Sequence, residues 1–166
     1  MKFKISNVKV SLKTHPISLN NVLKIKKPFK SYKNFVVVKS KYTYSIFKTN
    51  SKLEENHINI TKIPSLHKVP KAIKYLKRYL DFSEKSRKID NIIATFKLEK
   101  PIDLISICEK KLFESIKYNN ESFPGLFVKF KQGTAILFHS GKVVLVGCKT
   151  KKDLKCLTSN ICAVIK

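Results

Sequence analysis

Acidic side chains are scarce in this chain: 11 Asp and Glu stand against 35 Lys and Arg in 166 residues, for a formal charge of +24. Such an imbalance favours a polyanionic partner, nucleic acid first and anionic membrane second. Arginine is nearly absent too, with 33 Lys to 2 Arg, and abundant Ile and Asn accompany it. An AT-rich genome encodes the same bias whatever the function. The four cysteines (Cys108, Cys148, Cys156, Cys162) form no Cys-x-x-Cys pair, and none stands at zinc-ligand spacing from a His. They are expected to be reduced core residues, with no metal site. No basic start runs into an apolar segment and no stretch approaches a membrane span, so a soluble, intracellular protein without membrane contact is expected. Catalytic signatures are missing as well. There is no Gly-x-Ser-x-Gly, no His-Glu-x-x-His and no recognisable carboxylate pair, and the four His are scattered. His139-Ser140-Gly141-Lys142 ends like a phosphate-binding loop, but Ile136 stands where that loop needs its first Gly. Neither an enzyme nor a cofactor is expected.

What the chain does contain is a degenerate internal repeat. Ile5-Ser6-Asn7-Val8 matches Ile89-Asp90-Asn91-Ile92, Pro16-Ile17-Ser18-Leu19 matches Pro101-Ile102-Asp103-Leu104, and Tyr44-Ser45-Ile46-Phe47 matches Ala135-Ile136-Leu137-Phe138. The matches keep one order. Residues 1 to 80 form the first copy, the polar segment 81 to 88 the link, and residues 89 to 166 the second copy. Charge is unequal between them: residues 1 to 88 hold 22 basic and 4 acidic side chains, residues 89 to 166 hold 13 and 7.

Each half reads as strand, helix, several strands, helix. In the second, Asn91 to Leu98 is a strand and Asp103 caps a helix with Ile105, Cys108, Leu112 and Ile116 on one face. Leu126 to Lys131, Thr134 to His139 and Lys142 to Cys148 form a meander turning at Gln132-Gly133 and Ser140-Gly141. A closing helix aligns Leu154, Leu157, Ile161 and Ile165. In the first half a short helix holds Leu19, Val22 and Leu23, strands lie at 35 to 39, 42 to 48 and 57 to 63, and a helix from Pro70 buries Ile73, Leu76 and Leu80. Helices on one face of an antiparallel sheet make an α+β protein whose other sheet face is open. That face needs a partner.

Glu121-Ser122-Phe123-Pro124-Gly125-Leu126 and Phe138-His139-Ser140-Gly141-Lys142-Val143-Val144-Leu145-Val146-Gly147-Cys148-Lys149 carry a resemblance to the second repeat of TATA-box-binding proteins. The resemblance covers nearly all of 89 to 166; over 1 to 80 it rests on the repeat. It implies a pseudo-twofold saddle with a curved antiparallel sheet, helices on the convex face, and a concave face seated in a widened minor groove of AT-rich double-stranded DNA. Phe123 and Phe138 are then the kinking wedges, and bending is a property carried over from the family. In the first half Phe47 corresponds to Phe138, and its partner is Phe29 or Tyr32. By the same resemblance Asn7 and Asn91 meet base acceptors near the saddle centre, where A·T is told from G·C. A strand-start Asn also bonds its own backbone, and only the paired repeat positions tilt the reading towards function. Ile93 and Val8 are expected to add apolar contact, and Leu126 lies in the same minor-groove set.

Lys129, Lys142 and Lys149 match phosphate-contacting positions, which place the protein without reading sequence. Glu121 matches the acidic residue that the family offers to a general transcription factor of the IIB type, although it is equally an ordinary exposed Glu. Two departures stand out. Val146 replaces a base-bonding Thr, a role Thr61 keeps in the first half, and the first-half hairpin has the longer loop 49 to 56 in place of Ser-Gly-Lys. The helix from Pro70 also turns Lys71, Lys74, Lys77 and Arg78 outward. The resemblance thus implies a transcription initiation factor that bends promoter DNA and recruits a IIB-like factor and RNA polymerase. Its seat is then the nucleus, or a cytoplasmic viral factory, since brevity, the lack of an N-terminal extension and the eroded first repeat suggest a large DNA virus or a reduced eukaryote. Two other classes stay open: a single-copy accessory module of a nuclease or glycosylase, for whose catalytic domain the chain has no room, and a decoy that keeps the saddle without bending DNA.

Overall fold

The computed structural model describes residues 2–17, 29–47, 55–110 and 115–165, with Phe29 described by its backbone alone. They divide into two compact units: Asn7–Asp90, and the chain from Asn91 onward together with its start through Ser6.

The first unit is an antiparallel sheet of β1 (Lys4–Thr14), β2 (Phe29–Ser31), β3 (Phe35–Lys39), β4 (Thr43–Phe47) and β5 (Asn56–Ile63), in the order β2-β3-β4-β5-β1. Strict alternation builds it. Val8, Val10 and Leu12 are buried on one face of β1, while Asn7, Lys9, Ser11 and Lys13 take the other. Helix α1 (Val69–Leu76) covers the buried face with Ala72, Ile73 and Leu76, Pro70 serving its first turn. The Tyr44 hydroxyl donates to the Ala72 carbonyl at 2.9 Å, and burial pushes this phenol well above its ordinary range. Leu80 is buried just beyond the helix.

The second unit follows the same plan. Strand β6 (Glu84–Lys97) is succeeded by α2 (Leu104–Glu109), β7 (Ser115–Asn119), β8 (Phe123–Phe130), β9 (Gly133–Phe138), β10 (Lys142–Cys148) and α3 (Lys151–Ile165). Its strands lie in the order β6-β10-β9-β8-β7. Thr150 and Asp153 close a capping box on α3: the Thr150 N–H donates to Asp153 Oδ2 at 2.9 Å and the Asp153 N–H to Thr150 Oγ1 at 3.0 Å. Leu154, Leu157 and Ile161 are buried as the apolar stripe predicts.

Several expectations need correcting. Asp103 does cap α2, accepting from the Ile105 and Ser106 N–H groups, but the helix buries Leu104 and Ile107 and leaves Ile105 66% exposed. With only six residues the helix has too few turns for a stripe to be read, and Ile116 belongs to β7. The stretch read as a link is already β6 from Glu84; residues 85–88 are polar because they are exposed, not because they are irregular. Strands β2 and β7 went unforeseen, being three and five residues long. The helix expected at Leu19, Val22 and Leu23, Leu112, and residues 49–54 of the loop lie outside the described residues.

Candidate nucleic-acid interface

The face opposite the helices keeps its side chains half-buried or exposed, and strand register lets the two units be compared position by position. In the second unit Thr95 on β6 pairs with Val144, Val144 with Ile136, Ile136 with Phe127, and Phe127 with Lys117. In the first unit the corresponding row is Ser11, Asn59, Ser45, Val37 and Lys30. A second row runs Val146, Thr134, Lys129 in one unit and Thr61, Thr43, Lys39 in the other. The repeats therefore share a framework and differ in what it presents.

Asn7 and Asn91 occupy matching places. A bulge breaks the β1–β5 pairing between Val8 and Val10, and another breaks the β10–β6 pairing between Leu145 and Cys148. At the apex Lys62 has φ of +61° and Gly147 of +86°. The Asn7 carbonyl oxygen accepts from the Lys62 N–H at 2.9 Å, and the Asn91 carbonyl oxygen from the Gly147 N–H at 2.7 Å. Each Asn thus does bond backbone, as a strand Asn is apt to do. That bond fixes the amide in one orientation, and its Nδ2 donors are the part of the side chain the bond does not use.

Parity removes two expected contacts. Val8 and Leu126 are both 0% exposed on the core face. Neighbours in a strand, such as Asn7 and Val8, point to opposite faces, and so do residues three apart, such as Phe123 and Leu126. Ile93 and Val146 stay half-buried on the open face, Thr61 with them in the first unit.

Phe123 is 38% exposed, its ring 5.8 Å from that of Phe138 in an edge-on arrangement and 5.2 Å from that of Phe127. Gly125, paired with Phe138, makes this possible: a Cβ there would stand 2.5 Å from Phe123 Cε1 and 2.9 Å from Ile136 Cγ2. The Phe138 carbonyl accepts from the Gly141 N–H at 2.9 Å, so the turn with Gly141 at φ +82° holds that end of β9. Lys142 Nζ lies 5.9 Å from the Phe138 ring centroid. Lys129, Lys142 and Lys149 are all exposed, and Lys149 is steadied by its own N–H bond to Asp153 Oδ2 at 3.1 Å. Hydrogen bonds from the Lys149 and Thr150 backbones outweigh burial and hold the Asp153 carboxyl below its ordinary range. Glu121 is exposed in the β7–β8 turn, where its N–H donates to the Asn119 side chain at 3.1 Å.

The first unit ends differently. Phe47 pairs with Phe35, which occupies the place of Gly125; their rings are 5.5 Å apart, and Tyr32 stacks on Phe35 at 4.7 Å. Tyr32 is 46% exposed. Of the two candidate partners for Phe47, Tyr32 joins its cluster through Phe35, whereas Phe29 enters only by its backbone, paired with Val38. Buried Asn56 fixes Phe47 from behind, its amide donating to the Phe47 carbonyl at 3.0 Å. Phe35 and Phe127 escaped the sequence reading. Alternation was the signal, since each stands one residue from a core valine or leucine.

Among the described residues no group of three or more His, Cys, Asp or Glu is placed to hold a metal, and no helix is long and apolar enough to cross a membrane.

Two copies of one α+β plan, each with a bulge-anchored Asn on an uncovered sheet face and aromatic rings at the end of that face, define a duplicated-sheet protein. A family model described as Transcription factor TFIID (or TATA-binding protein, TBP) matches residues 86–166. The TATA-box-binding protein of Methanothrix thermoacetophila is 38% identical over 85 residues, 50% of this chain and 45% of that protein. That of Methanothermobacter thermautotrophicus is 43% identical over 70 residues, 41% of this chain and 38% of that protein. The chain thus matches less than half the length of these curated relatives. The solved structure of Methanococcus jannaschii TBP superposes with a TM-score of 0.84 at 27% identity, covering 99% of this chain and 98% of that one. Residues 86–166 thus match the TATA-box-binding protein family, and the chain as a whole has the fold of a solved member of it.

Proposed function

We propose that this protein is a transcription initiation factor that binds AT-rich duplex DNA through the minor groove, bends it, and recruits a IIB-like factor and RNA polymerase. The observation that carries the reading is the half-exposed Phe123–Phe138 pair, at the end of an open sheet face lined by Ile93, Val144, Ile136 and Phe127. Apolar rings held at a sheet end suit insertion between base steps, where the cost of unstacking is offset by the surface a bent duplex wraps. Asn7 and Asn91 direct amide donors towards the acceptors that A·T pairs present in that groove. Lys129, Lys142 and Lys149 hold the phosphates, and Glu121 faces the IIB-like partner.

With a charge of +24 the protein adheres to any duplex at low salt, so the test separates bending from adhesion. The end-to-end distance of a dye-labelled TATA duplex is compared with that of a GC-rich control at physiological salt, for wild type and Phe123→Ala/Phe138→Ala. TATA-selective shortening that the double substitution abolishes is the expected result. Equal, unbent, salt-sensitive binding to both duplexes would sink the reading and favour a decoy.

A further inference from the structure

The open faces of the two repeats differ most at their middle row. Where the second repeat presents Val144 and Ile136, the first presents Asn59 and Ser45 at the same register positions. A third polar group adjoins them: the Ser11 hydroxyl lies 2.7 Å from the Asn59 carbonyl oxygen and also bonds the Asp90 carboxylate. Lys9 Nζ pairs with that carboxylate at 3.7 Å.

One hydroxyl proton faces two acceptor oxygens. The charged carboxylate is the stronger acceptor, so the proton goes to Asp90; the Asn59 amide then turns its Nδ2 donor to the Ser11 oxygen, which leaves the Asn59 carbonyl to accept from elsewhere. In the minor groove A·T pairs show only acceptors; the single donor available is the N2 amino group of guanine. Against Val144 and Ile136 that amino group loses water and gains no partner, a penalty of order one to two decades in affinity. Against Asn59 and Ser45 it meets a carbonyl and a hydroxyl.

We propose that Asn59 and Ser45 are specificity-determining residues that let the half-site under the first repeat accept G·C pairs, while the second repeat holds its half-site to A·T. The inference rests on the minor-groove reading above and assigns its two halves different stringency.

The test uses the full chain and a set of AT duplexes in which one pair at a time is replaced by G·C or by inosine·C. Inosine lacks the N2 amino group and presents an A·T-like minor groove, so the comparison isolates that group without altering the protein. In one contiguous half of the element inosine·C is expected to bind about tenfold or more tighter than G·C. In the other half G·C is expected to equal inosine·C or exceed it by about threefold. Asn59→Val/Ser45→Ile should make the permissive half discriminate, and Val144→Asn should relax the stringent half. Tight binding to the AT duplex with inosine·C preferred in both halves overturns the inference and leaves the proposed function standing. Failure to prefer any AT duplex over a GC-rich control overturns both.

Discussion

The two repeats keep the same strand order and the same bulge, yet their open faces have diverged in opposite directions. The second is apolar across its middle and ends in a ring pair folded over Gly125. The first is hydroxyl- and amide-bearing across its middle and ends in a stack, Tyr32 on Phe35 on Phe47. The fold tolerates such drift because backbone bonding runs in the plane of the sheet and the core uses only the other face of each strand. The framework is thus decoupled from the surface it displays, and a duplicated fold can specialise one copy without endangering the other.

The largest effect should come from breaking the ring pair. Phe123→Ala/Phe138→Ala is expected to weaken bending by about tenfold or more, whereas Tyr32→Ala/Phe47→Ala should cost clearly less, since those rings satisfy one another. Distance measurements on the two variants side by side decide this; equal losses would mean that both ends kink alike. The converse exchange, Lys33→Phe/Phe35→Gly, rebuilds the second repeat's arrangement in the first, and bending at that end should increase. Next in size is Gly125→Ala. Its Cβ would displace the Phe123 ring and press on Ile136, so bending should fall while denaturation shifts by about 1 kcal/mol.

Smaller effects compare the bulges. Asn7→Ala and Asn91→Ala each remove a bond to a bulge N–H and should each cost about 1 kcal/mol in chemical denaturation. Lys62→Gly should instead stabilise, by about 1 kcal/mol, since a left-handed lysine is strained where the second repeat uses Gly147. The least effect concerns Cys148, beside the second bulge, whose thiol burial pushes up to about 11. A raised value means that the folded state keeps the proton longer. Its contribution to stability is complete below the ordinary thiol range near 9 and is lost as pH rises towards 11. Alkylation at pH 8 should be slow in the folded protein and fast after unfolding; equal rates would show that the second bulge opens readily.

Much of this architecture was legible because alternation and repeat logic reinforce each other. Strands 35–39 and 142–148, the Asp103 cap and the α3 stripe follow from local pattern. The meeting of Phe123 and Phe138 at one end of the sheet was legible because motifs place both there. The site was misread where motif adjacency replaced geometry: Val8 and Leu126 sit next to open-face residues in sequence and on the other side of the sheet in space. Alternation puts Phe35 on the open face, but its pairing with Phe47 is set by register, which no local pattern shows. The polar middle row of the first repeat was hidden for the same reason, its members being scattered over β1, β5 and β4.

The bulge-to-Asn bonds have a further consequence, for the fidelity of folding. A strand that slid by one residue would turn its buried set outward and draw its polar set into the core. In a sheet whose second face is meant to remain bare, the resulting error would present a false surface to every duplex it met. By tying one extra residue to an Asn on the adjacent strand, each repeat acquires a latch that closes in only one alignment. The same amide that points outward therefore also guarantees which side of the strand is outside.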